Sequence, residues 1–140
     1  MKEKKRVVRV NKVFRCWGSI LLLALLTLTA CTKGPSLPEA EEISSIKVSL
    51  FAKHNISGTI PKDKFQTVIS LFSTALDDHE PAKWRELGLI KIQKVDNTVL
   101  DIFLYETKAQ QGAFQIGGNY YLGKEDSIVI STLTELIKGE

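Results

Sequence analysis

Hydrophobic and polar positions alternate in several stretches of residues 43–140, and this alternation predicts strands. Residues 46–51, 89–95 and 98–105 place apolar side chains at every second position, as half-buried strands do. Two shorter apolar stretches, residues 113–116 and 120–122, flank a glycine-rich turn and predict a hairpin. The pattern therefore predicts four or five strands joined mostly by short turns.

A spacing of three and four residues predicts a helix after Pro61, which fits the first helical position. Its apolar stripe consists of Phe65, Val68, Ile69, Phe72, Ala75 and Leu76. Residues 77–81 are acidic and end in Pro81, so we expect a loop there. Residues 54–58 are also expected to form a loop.

A second helix is predicted at the C-terminal end of the chain. Thr132 and Glu135 fit a capping box, and Gly139 fits a helix stop. The helix is expected to begin between Asp126 and Thr132, although residues 126–131 are also compatible with a strand.

These elements predict an α+β fold in the order β-α-β-β-β-(β)-α. A mainly antiparallel sheet of four or five strands is expected to carry both helices on one face. The predicted organisation is a signal segment over residues 1–30, a flexible tether over residues 31–42 and a single domain over residues 43–140. The tether prediction rests on Gly34, Pro35 and Pro38, which interrupt regular structure.

The first 30 residues have the pattern of a secretory signal peptide. Residues 1–15 carry seven basic side chains and one acidic one, residues 17–28 are almost wholly apolar, and Thr29 and Ala30 are small. The apolar run is shorter than the roughly 20 residues that a bilayer-spanning helix needs. This segment is therefore expected to direct export.

Leu28-Thr29-Ala30-Cys31 resembles the lipobox of bacterial lipoproteins. The resemblance implies that Cys31 receives a diacylglycerol thioether, becomes the mature N-terminus and carries acyl chains such as palmitate. Such a protein is attached to the cell membrane or outer membrane and faces the periplasm or the cell exterior. Two other interpretations of residues 1–31 remain open. The segment could be a plain signal peptide with an incidental cysteine, or an anchor that is not cleaved.

Removal of residues 1–30 reverses the net charge of the chain. The whole chain carries 19 basic and 16 acidic residues, whereas the mature part keeps 12 and 15 of them, a net charge of −3. The loss of the basic excess removes the argument for nucleic acid as a partner. Cys16 is removed with the signal and Cys31 is used for the lipid, so no disulfide is expected.

No motif of nucleophilic catalysis, metal binding or cofactor binding is present. His54 and His79 are far apart and lack ligand spacing, so no metal is expected. The sequence therefore favours a non-enzymatic protein without cofactors, either an accessory subunit or one that binds a partner protein of the envelope. A small envelope hydrolase is the least favoured reading.

Trp84, Tyr105 and Tyr121 are the candidate residues for a binding surface. Exposed aromatic side chains mark sites for proteins or sugars, although a small domain without disulfides also needs them in its core. Successive strand residues face opposite ways, so Tyr121 points outward if Tyr120 points inward. An alternative function is a ligand-binding or sensing module that uses this aromatic sheet face for a glycan or a small apolar ligand.

Overall fold

A computed structural model describes residues 34–51, 54–78, 84–107 and 111–139, with Asp78 and Gln111 described by their backbone alone. These residues belong to one of the two units into which the chain divides, Thr32–Glu140. Cys31 and the predicted signal segment lie outside the described residues.

Seven strands and two helices make up the described part of the chain. The strands are β1 (Ile43–Leu50), β2 (Ile56–Ile60), β3 (Leu76–Asp78), β4 (Arg85–Lys94), β5 (Val99–Glu106), β6 (Gln111–Ile116) and β7 (Asn119–Glu125). The helices are α1 (Phe65–Phe72) and α2 (Asp126–Lys138), and short 3₁₀ turns occupy Ala40–Glu42 and Lys62–Lys64.

All seven strands form one antiparallel sheet in the order β2-β1-β4-β5-β6-β7-β3. Strands β4 to β7 run as a meander, because each pairs with the next along the chain. Asn97, Gly117 and Gly118 adopt positive φ angles in its tight turns, a conformation that Asn and Gly tolerate best. Strands β2 and β3 form the two edges of the sheet.

Both helices pack on one face of the sheet and cover an apolar core. Phe72 of α1 meets Phe114 of β6 edge to face, with ring centroids 4.9 Å apart. Leu133 of α2 is fully buried in the same core, and Ile137 lies over Gly58 of β2. An ideal Cβ on Gly58 would lie 2.4 Å from Cγ2 of Ile137, so glycine permits this close approach of helix and strand.

The α+β class is confirmed, but the sheet has seven strands where four or five were predicted. Parts of two expected loops are strands instead: residues 56–58 of the first belong to β2, and Asp77 and Asp78 of the second belong to β3. Both lie at a sheet edge, where one side of the backbone and much of the side-chain surface meet water. Such strands do not need the apolar alternation by which interior strands are recognised.

The helix boundaries also differ from the prediction. Helix α1 ends at Phe72, and Leu76 leaves the predicted stripe to join β3, where its side chain is 58 % exposed. Residues 126–131 are helical, and α2 begins at Asp126, so Thr132 lies inside the helix and does not cap it. Gly139 does end the helix, with φ 75° and its N–H donating to the carbonyl of Glu135.

The described part of the predicted tether, residues 34–42, packs against the domain. Pro38 is buried, and Leu37 and Ala40 contact the core from its margin. The prediction of a flexible tether is therefore wrong for residues 34–42. The segment contains proline and glycine, but it also contains apolar side chains, and burial of these side chains against the domain is favourable. Of the predicted tether, residues 31–33 lie outside the described residues.

Candidate functional site

The face of the sheet opposite the helices, here called the open face, carries the side chains that alternate with the core positions. In β4 and β5 these positions include Leu89, Lys91, Asp101, Phe103 and Tyr105. In β6 and β7 they include Ala113, Gln115, Tyr120 and Leu122. In the described part of the chain neither helix covers this face, so its apolar side chains are only partly shielded by one another.

Three large aromatic side chains gather on the open face. The ring centroid of Trp84 lies 6.0 Å from that of Tyr105 and 5.9 Å from that of Tyr120. The two tyrosine rings lie 6.4 Å apart, and all three contacts are tilted or edge to face. We call Trp84, Tyr105 and Tyr120 the aromatic cluster.

The strand register explains why these rings meet. Tyr105 of β5 lies opposite Ala113 of β6, which in turn lies opposite Leu122 of β7. Tyr120 is two positions before Leu122 and therefore points to the same face. Ala113 is small and only 3 % exposed, which leaves room for the larger rings beside it and places it beneath them.

Polar groups border the aromatic cluster. The hydroxyl of Tyr105 donates to Oε1 of Gln115 at 3.4 Å. Burial raises the pKa of Tyr105, and the nearby Tyr120 and Glu86 raise it further, because a negative charge on a neighbouring group disfavours a tyrosinate. Arg85 forms an ion pair with Glu106 of the neighbouring strand, but these two residues alternate with Glu86 and Tyr105 and so lie toward the helix-covered face, where Glu106 lines a groove beside α2.

Asp101 adds an unsatisfied acceptor to the open face. Its Oδ1 atom is buried and has no hydrogen-bond partner among the described residues. Lys91 lies opposite it in the register of β4 and β5. A buried carboxylate oxygen without a partner is costly, and because this oxygen is covered by the surrounding residues it is not exposed to a molecule that docks on the open face.

The structure brings Trp84 and Tyr105 together, but it places Tyr121 elsewhere. Tyr121 is 7 % exposed and stacks on Phe114 in the core, with centroids 5.4 Å apart. The expectation that Tyr121 lies on an exposed surface is therefore wrong, and Tyr120 takes its position. Cys31, the predicted lipid attachment site, lies outside the described residues.

A signal for the correct tyrosine is present in the sequence. The two-residue turn Gly117-Gly118 pairs Gln115 with Tyr120 and Phe114 with Tyr121. Since an apolar Phe114 belongs on the core face, Tyr121 must share that face. Gln115 and Glu86 carry no comparable signal, because they border the site only through the pairing of neighbouring strands.

Two concave features of the described residues include residues from the C-terminal end of β5. A void beneath the open face, lined by Phe72, Leu104 and Phe114 among others, measures about 10 Å³, roughly the space of one water molecule. A wider groove of about 610 Å³ runs between α2 and the β1–β2 connection, lined partly by His54, Glu106 and Ser131.

Among the described residues, no group of three or more His, Cys, Asp or Glu side chains is placed to hold a metal ion. In the same residues, neither helix has the length and apolar character needed to cross a bilayer.

No protein family, curated protein or solved structure matches the chain.

Proposed function

We propose that the chain is a non-enzymatic, lipid-anchored protein of a bacterial envelope that binds a partner protein through the aromatic cluster. The observation that carries the binding proposal is the convergence of Trp84, Tyr105 and Tyr120 on a sheet face that neither helix covers. The sequence Leu28-Thr29-Ala30-Cys31 supports the anchor.

The chemistry of the aromatic cluster suits a protein partner. Trp and Tyr are enriched among the residues that contribute most to the free energy of binding, because they bury large areas with few rotatable bonds. In the aromatic cluster each ring is held by the other two, so little side-chain entropy remains to be lost on binding.

The small size of the void beneath the cluster also favours an external surface. At about 10 Å³, this void cannot admit a small apolar ligand. A flat face with half-buried aromatic residues instead resembles the centre of a protein interface, which needs no cavity. We therefore rank a protein partner above a small apolar ligand.

Photo-crosslinking in cells tests this surface. A benzophenone amino acid at Tyr120 in the full chain is expected to yield a discrete crosslinked product, whereas the same amino acid at Gln66, an exposed position on α1, is expected to yield none. Trp84→Ala should abolish the product, since it removes a ring that both tyrosines contact. The proposal is wrong if Tyr120 gives no product or if both positions give the same one.

A glycan of the envelope is a second candidate ligand. The observation that favours it is the presence of two polar side chains beside the aromatic cluster, namely Gln115, whose Oε1 accepts from Tyr105, and Glu86, which lies opposite Tyr105 in the strand register. Sugars present both an apolar ring face and hydroxyl groups, so they suit aromatic residues that are bordered by donors and acceptors.

Calorimetric titration of the full chain with soluble fragments of envelope glycan tests this candidate. Binding that is lost in Tyr120→Ala and retained in Gln66→Ala would favour a glycan. Absence of binding together with a protein crosslink at Tyr120 would leave the protein partner as the ligand.

A further inference from the structure

Strand β2 differs from the other edge strand of the sheet in having no protection against pairing. Its sequence, Ile56-Ser57-Gly58-Thr59-Ile60, contains no charged residue and no proline. Strand β3 at the opposite edge is only three residues long and carries two aspartates, which are features that discourage edge-to-edge association. An uncharged edge of five residues is therefore a surface that can accept another strand.

The hydrogen-bond pattern shows which groups of β2 are free. The N–H of Phe51 donates to the carbonyl of Leu87, so the odd-numbered residues of β1 direct their backbone groups toward β4. The even-numbered residues of β1 then pair with Ile56, Gly58 and Ile60 of β2. The N–H and C=O groups of Ser57 and Thr59 consequently point away from the sheet, and no described residue pairs with them.

The sequence of β2 is nearly symmetrical about Gly58. An antiparallel copy centred on Gly58 places Ser57 opposite Thr59 of the second copy and Ile56 opposite its Ile60. A two-fold axis beside Gly58 places Ser57 of each copy opposite Thr59 of the other. Because the backbone groups of Ser57 and Thr59 are the free ones, each of these pairs can form two backbone hydrogen bonds. The register that the sequence symmetry selects is thus also the one that satisfies all four free groups of each chain.

We propose that the protein forms a two-fold symmetric dimer in which the β2 strands of two copies pair antiparallel about Gly58. Four backbone hydrogen bonds join the copies, and the two seven-stranded sheets become one continuous sheet. This surface is separate from the aromatic cluster, so the inference stands independently of the proposed function.

The side chains of β2 suit this pairing on both faces. Ser57 and Thr59 are exposed on the open face, where their hydroxyl groups can bond across the axis. On the helix face the two Gly58 residues form the close, non-hydrogen-bonded pair, which has no Cβ atoms to collide. The half-buried Ile137 of each copy lies over its own Gly58, so the dimer brings these apolar side chains to either side of the axis.

The two-fold axis is compatible with attachment of both copies to one membrane. An axis between two antiparallel neighbouring strands runs perpendicular to the sheet. Equivalent atoms of the two copies therefore lie at the same height along the axis, including the two Gly34 residues at which the described chains begin. Lipid anchors that precede them can enter the same bilayer.

Paired charge variants test the proposed register. In S57K/T59K, lysine side chains of the two copies face each other across the axis. In S57E/T59K, every contact across the axis joins the new carboxylate of one copy to the new ammonium group of the other. Sedimentation velocity of the full chain in mild detergent should show a dimer for the wild type and for S57E/T59K, and a monomer for S57K/T59K. The same comparison is repeated in a Cys31→Ala background, which lacks the proposed lipid anchor. A dimer that persists there is formed through β2 and not by two lipid anchors that share one detergent micelle.

Amide hydrogen exchange provides a measurement that needs no substitution. The N–H groups of Ser57 and Thr59 should be protected in concentrated wild-type protein and should exchange rapidly on dilution or in S57K/T59K. A wild type that stays monomeric at high micromolar concentration with rapid exchange at both amides overturns the proposal. So does a result in which the two charge variants, both shown by circular dichroism to be folded, have the same mass.

Discussion

At the scale of single residues, the strand register places Glu86 opposite Tyr105, and the surroundings of Tyr105 raise the pKa of its hydroxyl group. Its raised pKa means that the folded chain holds the phenolic proton more firmly than the unfolded chain does. The protonated Tyr105 therefore contributes its full share to the free energy of unfolding at pH values below 10.0, the ordinary pKa of tyrosine. This contribution is lost as the pH rises through the higher pKa of Tyr105 in the folded state.

We expect Trp84→Ala to lower the pKa of Tyr105 more than Glu86→Gln does. Burial is the largest cause of the shift and Trp84 covers the ring, whereas Glu86 is the smallest of the three causes. Titration of the full chain labelled with ¹³C at the tyrosine Cζ atoms resolves Tyr105 from the other two tyrosines. A pKa of Tyr105 that is unchanged in Trp84→Ala would contradict the described packing of the aromatic cluster.

Only some residues of the candidate site could be predicted from the sequence. Trp84 and Tyr105 could be selected as candidates from their type and position, and the choice between Tyr120 and Tyr121 required the pairing register. Asp101 could not be selected, because its unsatisfied oxygen results from the side chains around it and not from any local pattern.

At the scale of elements, the close contact between β2 and α2 depends on one glycine. We expect Gly58→Ala to lower the free energy of unfolding by about 1–3 kcal/mol, as overpacking of a filled core typically does. The added methyl group would lie 2.4 Å from Cγ2 of Ile137, whose β-branched side chain has little rotational freedom to move away.

Urea denaturation at low protein concentration measures this effect. Gly34→Ala is a matched control, because its new Cβ would have only ordinary contacts, the nearest at 3.5 Å, and we expect no comparable loss. Ile137→Ala combined with Gly58→Ala should recover part of the loss, since the two changes act on one contact. Additive effects of the two substitutions would show that the contact is not the cause.

The interior strands and helix α1 could be predicted because the spacing of their apolar residues is visible within each short stretch of sequence. In helix α1 and in strands β4 and β5 most buried side chains follow the spacing of one face, and the apolar pattern of the sequence indicates that spacing. The edge strands β2 and β3 gain their structure from partners that are distant in sequence, such as β7 for β3. Their own residues, which include Gly58, Asp77 and Asp78, favour turns and so gave no strand signal.

At the scale of the whole molecule, attachment through Cys31 makes a direct prediction. Cells that express the full chain and receive a fatty-acid probe should label the wild type, and Cys31→Ala should lose the label because the residues after position 30 contain no other cysteine that could form the thioether. The control is Cys16→Ala, which should remain labelled, since Cys16 lies within the segment that we expect to be removed. Labelling that persists in Cys31→Ala would mean acylation at another position.

The route of the chain between β1 and β4 also determines the order in which the sheet can be completed. Strands β2 and β3, which form opposite edges, both come between these two neighbours in the sequence, and the described partner of β3 is β7, four strands later in the chain. Because the chain is synthesised from its N-terminal end, β3 must remain without this partner until β7 has been made. The two aspartates of β3 therefore have a second consequence during synthesis, since their charge discourages the unpaired strand from pairing with the wrong neighbour.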